Sequence, residues 1–267
     1  MIFESHAHYE DKAFDEDREG LLDGMRKHQV GTVINVCSTV ESLQKTIDLT
    51  KRYDFIYGAV GIHPSETAEL TEEIFEKIRK LCALDKVVAV GEIGLDYYWK
   101  EPDPEYQKMW FERQLLLAQE VGLPVIIHSR EAAKDTLDMM KALHAEKSGG
   151  VIHCYSYSKE MAAEFLKLDY YFGIGGVITY KNAKKLKEAV EYLPMDRILL
   201  ETDSPYLTPV PNRGQRNSSW NLPYVAEEIG QIKGISAQDV IEITEKNAQK
   251  LFGIMTKNKT KRRNNNQ

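Results

Sequence analysis

"KVVAVGEIGLDYYWKEPDPEYQKMWFERQLLLAQEVGLPVIIHSR", residues 86–130, contains one complete structural unit. It opens on a short β-branched run, "KVVAVGEIGLD", and closes on another, "PVIIHSR"; both read as strands. Between them the amphipathic stretch 104–121 reads as a helix, with Pro104 in its first turn and Gly122 just past its last. Strand, helix and strand in that order imply parallel strands joined by a right-handed crossover.

The same unit recurs along the chain. Further strands are read in "IFESHAH", "GTVINVCS", "FIYGAVGIHP", "GVIHCYS", "YYFGIGGVI" and "RILLETDSP", which makes eight in all. Helices are expected over 15–28, 40–52, 71–83, 130–146, 158–168 and 181–192, with 223–233 and 236–252 after the eighth strand. Eight β-then-α units without a linker or a shift in composition predict a single (β/α)8 TIM-type barrel over 1–253. An open doubly wound sheet is the other arrangement of such units, but no glycine-rich phosphate turn follows the first strand.

Composition agrees with a globular enzyme-sized domain: 267 residues, 42% hydrophobic and 28% charged. No apolar run is long enough to span a membrane and no export signal opens the chain, so a cytoplasmic protein is expected. Cys37, Cys82 and Cys154 fit neither a disulfide framework nor a zinc clip and read as small buried hydrophobes. A net charge of −6 argues against coating long stretches of nucleic acid, while leaving room for an enzyme that holds a strand end. The basic tail 254–267, with Lys257, Lys259, Lys261, Arg262 and Arg263, reads as disordered.

A barrel of this kind carries its site at the C-terminal ends of the strands, so what each strand ends in matters most. The first ends in His6 and His8, whose alternate spacing in an extended chain turns both imidazoles to one face. The third ends in His63, the fourth in Glu92, the fifth in His128, the sixth in His153 and the eighth in Asp203. Five of the seven histidines thus fall on one rim, while His28 and His144 lie at helix C-termini and read as structural. Imidazole and carboxylate donors converging without thiolate suit Zn2+ or Mn2+, and Mg2+ less well.

"ESHAH", "GIHP", "GEIGLDYY", "IHSR", "HCYS" and "LETDSPYL" together resemble the TatD-related metal-dependent deoxyribonucleases in order and spacing, from residue 2 to about 253. The resemblance implies two divalent ions: His6, His8 and Asp203 at the first, His128 and His153 at the second, Glu92 bridging them. The chain departs from the family at Glu4, where aspartate is usual, and after Asn217, where Ser218, Ser219 and Trp220 stand in place of the usual Asn-Glu-Pro.

Paired ions of this kind activate a water and clamp both oxygens of a phosphodiester, so hydrolysis needs no protein nucleophile. Neither a nucleophile elbow nor a Walker loop is present in the sequence. Asp203 is the expected proton acceptor and Glu201 a support behind the ligands. His63 is expected at the substrate phosphate or leaving group; Arg130 could fork onto a phosphate or pair with Glu131 or another acid. Tyr97, Tyr98 and Trp99 could stack on a base or simply pack over the rim. The reading is a deoxyribonuclease acting on DNA ends, preferably single-stranded. Two alternatives stand beside it: an esterase or deacylase acting on an acyl group such as that of aminoacyl-RNA, and a metal-binding scaffold without turnover.

Overall fold

The computed structural model describes residues 1–254; the basic tail, apart from residue 254, lies outside the described residues. Its eight strands are β1 (Ile2–Ala7), β2 (Val30–Val36), β3 (Ile56–Val60), β4 (Val87–Asp96), β5 (Val125–Arg130), β6 (Gly150–Ile152), β7 (Tyr171–Ile174) and β8 (Ile198–Leu200). They pair in parallel in sequence order. A single bridge between Ala7 and Ser204 joins the last strand's extension to the first, so the sheet forms a nearly closed TIM-type barrel.

Helices cover the outside: α1 (Arg18–Asp23), α2 (Val40–Arg52), α3 (Glu72–Leu81), α4 (Pro104–Val121), α5 (Ala133–Ala142), α6 (Lys159–Leu166), α7 (Lys184–Tyr192), α8 (Leu222–Lys233) and α9 (Ala237–Phe252). Their ends are fixed locally. Thr39 and Ser42 form a reciprocal capping box at the start of α2. In α4 the Asp103 side chain accepts the Glu105 N–H, and Gly122 closes the helix in the left-handed region at φ 70°.

All eight strands contribute to one buried cluster that includes Phe3, Ile34, Ala59, Ala89, Ile126, Val151, Tyr171 and Leu199. Only the inside of a barrel can receive a side chain from every strand. Phe252 of α9 stacks on Phe3 at 6.0 Å and plugs this interior at the end away from His6. The opposite end is left to polar groups.

Several elements differ from the sequence reading, among them the strand read in "YYFGIGGVI", which ends at Ile174 and passes into a 3-10 turn over Gly176–Thr179, and the helix expected over 130–146, which covers Ala133–Ala142. The helix expected over 15–28 is only α1, followed by a 3-10 turn over Met25–His28. Gly24 marks the break, and a Cβ there would stand 2.7 Å from Trp220 Cζ2, so a distant tryptophan needs this glycine. The sixth and eighth strands leave the ladder at Ile152 and Leu200, ahead of the residues expected to continue them.

Candidate metal centre

The first cluster is built where β1 meets the extension of β8. Asp203 N–H donates to the His6 carbonyl at 3.0 Å and His8 N–H to the Ser204 carbonyl at 2.8 Å. His6 Nε2 then lies 3.1 Å from His8 Nε2, and Asp203 Oδ1 lies 3.8 and 3.4 Å from the same two atoms. Glu92 Oε2 is 3.3 Å from His6 Nε2 and 3.8 Å from His8 Nε2. Ligands about 2.1 Å from a tetrahedral cation are separated by about 3.4 Å. His6, His8 and Asp203 have a spacing close to that, and Glu92 Oε2 adjoins the two imidazoles.

The tautomer of His8 is set from behind, because its Nδ1 lies 2.7 Å from the Val36 carbonyl oxygen and must donate to it. In the neutral ring that leaves the Nε2 lone pair facing the cluster, and a cation bound there would take the place of the ring's second proton. His6 Nδ1 is buried without a partner.

Glu92 stands where β4 breaks step with β5, between Val90 and Ile93. Its N–H leaves the ladder and donates to the Cys37 carbonyl at 2.9 Å, turning the side chain to the barrel axis. Its second oxygen, Oε1, faces another group: His128 Nδ1 at 2.7 Å, His153 Nε2 at 3.1 Å and His63 Nε2 at 3.8 Å. His63, expected beside the substrate, thus stands with Glu92 and His128 in a cluster that could itself hold an ion. Gly94, at φ 145°, lets β4 pass against β5 here, since a Cβ would fall 1.9 Å from the His128 carbonyl oxygen.

Two supports lie behind these ligands. Glu201 Oε1 is 3.3 Å from His153 Nδ1 and accepts the Cys154 N–H at 2.5 Å. Asp96 Oδ2 is 3.1 Å from His128 Nε2 and was not singled out from the sequence. It was legible there: positions 92, 94 and 96 share one face of a strand.

The electrostatics follow from crowding imidazoles against carboxylates. Burial alone would raise Glu92, but His153, His6 and His63 hold it well below the usual carboxylate range. Asp203 is likewise lowered against its burial, by the His8 bond and by His153 and His6. Burial opposes charge on His8 and His153 too, yet their neighbouring carboxylates raise both well above the ordinary imidazole value. His63 goes the other way, to about 3, through burial and the nearby His128.

Arg130 does not pair with Glu131; it lies over the Tyr98 ring, 3.8 Å from its centroid. Cys37 and Cys82 are buried as expected, while Cys154 is part-exposed and lines the site cavity. His28 stacks on Trp220 at 3.9 Å and His144 faces Glu146, both away from the centre. The departure at Glu4 has a structural counterpart in Ser219. The buried Glu4 carboxyl accepts from His6 N–H, Thr202 N–H and hydroxyl, and Ser219 hydroxyl, at 2.7 to 3.1 Å.

The family model described as TatD related DNase matches residues 3–253. The chain is 41% identical over 254 residues to YabD of Bacillus subtilis, an uncharacterized metal-dependent hydrolase, covering 95% of this chain and 100% of that one. It is 33% identical to YcfH of Escherichia coli K12, which has the same description, over 95% and 96% of the two chains. The crystal structure of YjjV, a TatD homolog from Escherichia coli K12, superposes with a TM-score of 0.90 at 30% identity, over 95% and 98% of the chains.

Proposed function

Because the chain belongs to the TatD-related DNase family, whose relatives are metal-dependent hydrolases, we propose that it hydrolyses phosphodiesters at DNA ends, single strands above all, using two divalent cations. The observation that carries this is the division of Glu92, with Oε2 beside His6 and His8, which with Asp203 form one candidate group, and Oε1 beside His128, His153 and His63. A carboxylate has two oxygens and can serve an ion with each. Zn2+ or Mn2+ suits the mixed imidazole and carboxylate donors better than Mg2+. Such a pair, when bound, lowers the pKa of a water and stabilises both the attacking and leaving oxygens of an in-line displacement.

The residues supply the rest. Asp203, held ionised by the surrounding imidazoles, is the group able to take the proton of the attacking water. The Val36 carbonyl orients His8, and the Glu201 carboxylate stands 3.3 Å behind the His153 ring. His63 is held neutral, and because its Nδ1 accepts the Ser65 N–H at 3.1 Å its proton lies on Nε2, from which it can donate to a leaving oxygen.

Two measurements test the reading. Anomalous scattering at saturating metal should show two ions per chain, and density for one alone refutes the bridging role of Glu92. Metal-loaded protein should release label from linear single-stranded DNA faster than from duplex, and should leave circular single strands largely intact. Equal rates on circular and linear strands refute end recognition; release only from an aminoacylated RNA moves the chemistry to acyl transfer.

A further inference from the structure

The cavity over the metal centre is about 750 Å³, and its lining includes two exposed aromatic side chains, Trp99 and Tyr206. They are 53% and 56% exposed, so both rings are open at the cavity mouth. Trp99 follows β4 and Tyr206 follows β8. In a ring of eight strands taken in order, the fourth and eighth lie opposite each other, so the two rings flank the mouth with the ligand cluster between them.

Both rings rest on fixed supports. On the β4 side, Tyr97 N–H donates to the Arg130 carbonyl at 2.9 Å, Tyr98 N–H to Asp96 Oδ1 at 3.0 Å, and Tyr97 hydroxyl to Asp135 at 2.9 Å. Trp99 stands edge to face with Tyr98, the centroids 4.9 Å apart. On the β8 side, Tyr206 N–H donates to the Asp203 carbonyl at 2.8 Å and its carbonyl accepts from Asn217 at 2.8 Å.

Charge distinguishes the two sides. Glu10, Asp11, Glu66 and Asp96 line the cavity, and Arg130 is the one Arg or Lys that does so among the described residues. Arg113, Arg197 and Arg216 are each bound to a carboxylate. Arg130 has only the Tyr98 face beneath it, and among the described residues it makes no ion pair, so its guanidinium donors are free.

We infer that the mouth is a two-sided stacking clamp for single-stranded nucleic acid: Trp99 and Tyr206 each hold a base, one on either side of the scissile phosphate, while Arg130 takes a phosphate on the Trp99 side. The inference rests on the phosphodiesterase reading of the same centre and adds what determines its substrate. Stacking tolerates any base, because every base has a π-face, and requires that the base be unpaired. The clamp therefore selects single strands over duplex without reading sequence. It also sets a minimum substrate of two adjacent nucleotides.

Abasic scanning tests this. Metal-loaded protein is titrated with fluorescein-labelled decathymidylates made with phosphorothioate linkages, which resist cleavage, each carrying one tetrahydrofuran abasic site at a different position. Trp99→Ala should weaken binding of the intact strand by about 5- to 150-fold. That loss should vanish when the abasic site occupies one particular position, and Trp99→Phe should restore most of the affinity. Tyr206→Ala should behave in the same way at a different, nearby position. Arg130→Gln should weaken binding of all strands alike and lower the salt slope by about 0.7. Wild-type affinity in both alanine variants, or losses that persist whatever the abasic position, overturns the clamp. Cleavage of the unmodified strand is scored separately. Stacking without cleavage refutes the nuclease reading alone, cleavage without position-dependent losses refutes the clamp alone, and absence of binding at millimolar strand refutes both.

Discussion

Gly173→Ala is a one-methyl test of how the centre is held. A Cβ on residue 173 would stand 2.0 Å from Glu201 Oε2 and 2.5 Å from its Cδ, against an ordinary contact of about 3.5 Å. Glu201 is buried, so its carboxylate must retreat by about 1.5 Å into packed surroundings. Retreat breaks its approach to His153 Nδ1 at 3.3 Å and its bond from the Cys154 N–H at 2.5 Å. Losing a partner that orients a ligating imidazole lowers metal affinity by about 10- to 100-fold, or about 1.4 to 2.7 kcal/mol. The loss should be greatest at His153, which Glu201 approaches directly, and smaller at His6, whose ring stacks on His153 at 3.7 Å. The assay is dialysis against buffers of graded free metal followed by elemental analysis, with circular dichroism to confirm the fold. Glu201→Gln, of equal size, should weaken the same ion while keeping Gly173 unstrained. Two ions bound at wild-type affinity by a folded Gly173→Ala protein would refute the positioning role of Glu201.

The pH dependence of the metal-free protein should carry the mark of His63. Its pKa falls to about 3 in the folded state from an ordinary value near 6.5, so between those limits the unfolded chain binds the extra proton. Stability is therefore lost as pH falls below about 6.5, by at most about 1.4 kcal/mol per unit, and denaturant melts of His63→Gln should lack that component. Chelation should lower Tm and added metal should restore it, since the ions bind only the native ligand geometry; an unchanged Tm argues against a native site. Glu4→Gln should fold nearly as well as wild type, because the buried Glu4 carboxyl, pushed up to about 8 by desolvation, already tolerates its neutral form. Glu4→Ala should be destabilised by several kcal/mol in urea melts, as four donors from His6, Thr202 and Ser219 lose their acceptor inside the protein.

The barrel and the rim histidines were readable because both depend on local pattern. Strand runs alternating with amphipathic segments fix the element order, and the residue at each run's end fixes the rim. What was not readable depends on contacts between distant positions. The apolar patterns of "GVIHCYS" and "RILLETDSP" continue past the last ladder bond, yet the backbone donors there go elsewhere: Cys154 N–H to Glu201 and Thr202 N–H to Glu4. A propensity reading sees residues suited to a strand and cannot see a carboxylate competing for the same N–H. Gly173 is the same case in reverse, since nothing around it marks it as the space in which Glu201 lies.

Glu4 and Ser219 show how a departure from family pattern can leave a site intact. Glu4 reaches from β1 across the barrel seam to Thr202 beside Asp203, and on to Ser219 after β8. Ser219 in turn exchanges bonds with Tyr9, directly after His8: its N–H donates to the Tyr9 hydroxyl at 2.8 Å, and the two hydroxyls lie 2.7 Å apart. Three ligands of the first cluster, His6, His8 and Asp203, therefore each adjoin a residue of one buried network, or directly join it through the His6 N–H. A single ladder bridge closes the sheet here, too little by itself to hold ligand atoms at the spacing a cation needs. The side-chain network supplies the missing constraint, because each of its bonds fixes a direction as well as a distance. Shortening Glu4 to aspartate while leaving Ser219 in place would open that network at its centre, so Glu4→Asp should weaken metal binding more than Glu4→Gln does, despite keeping a carboxyl group.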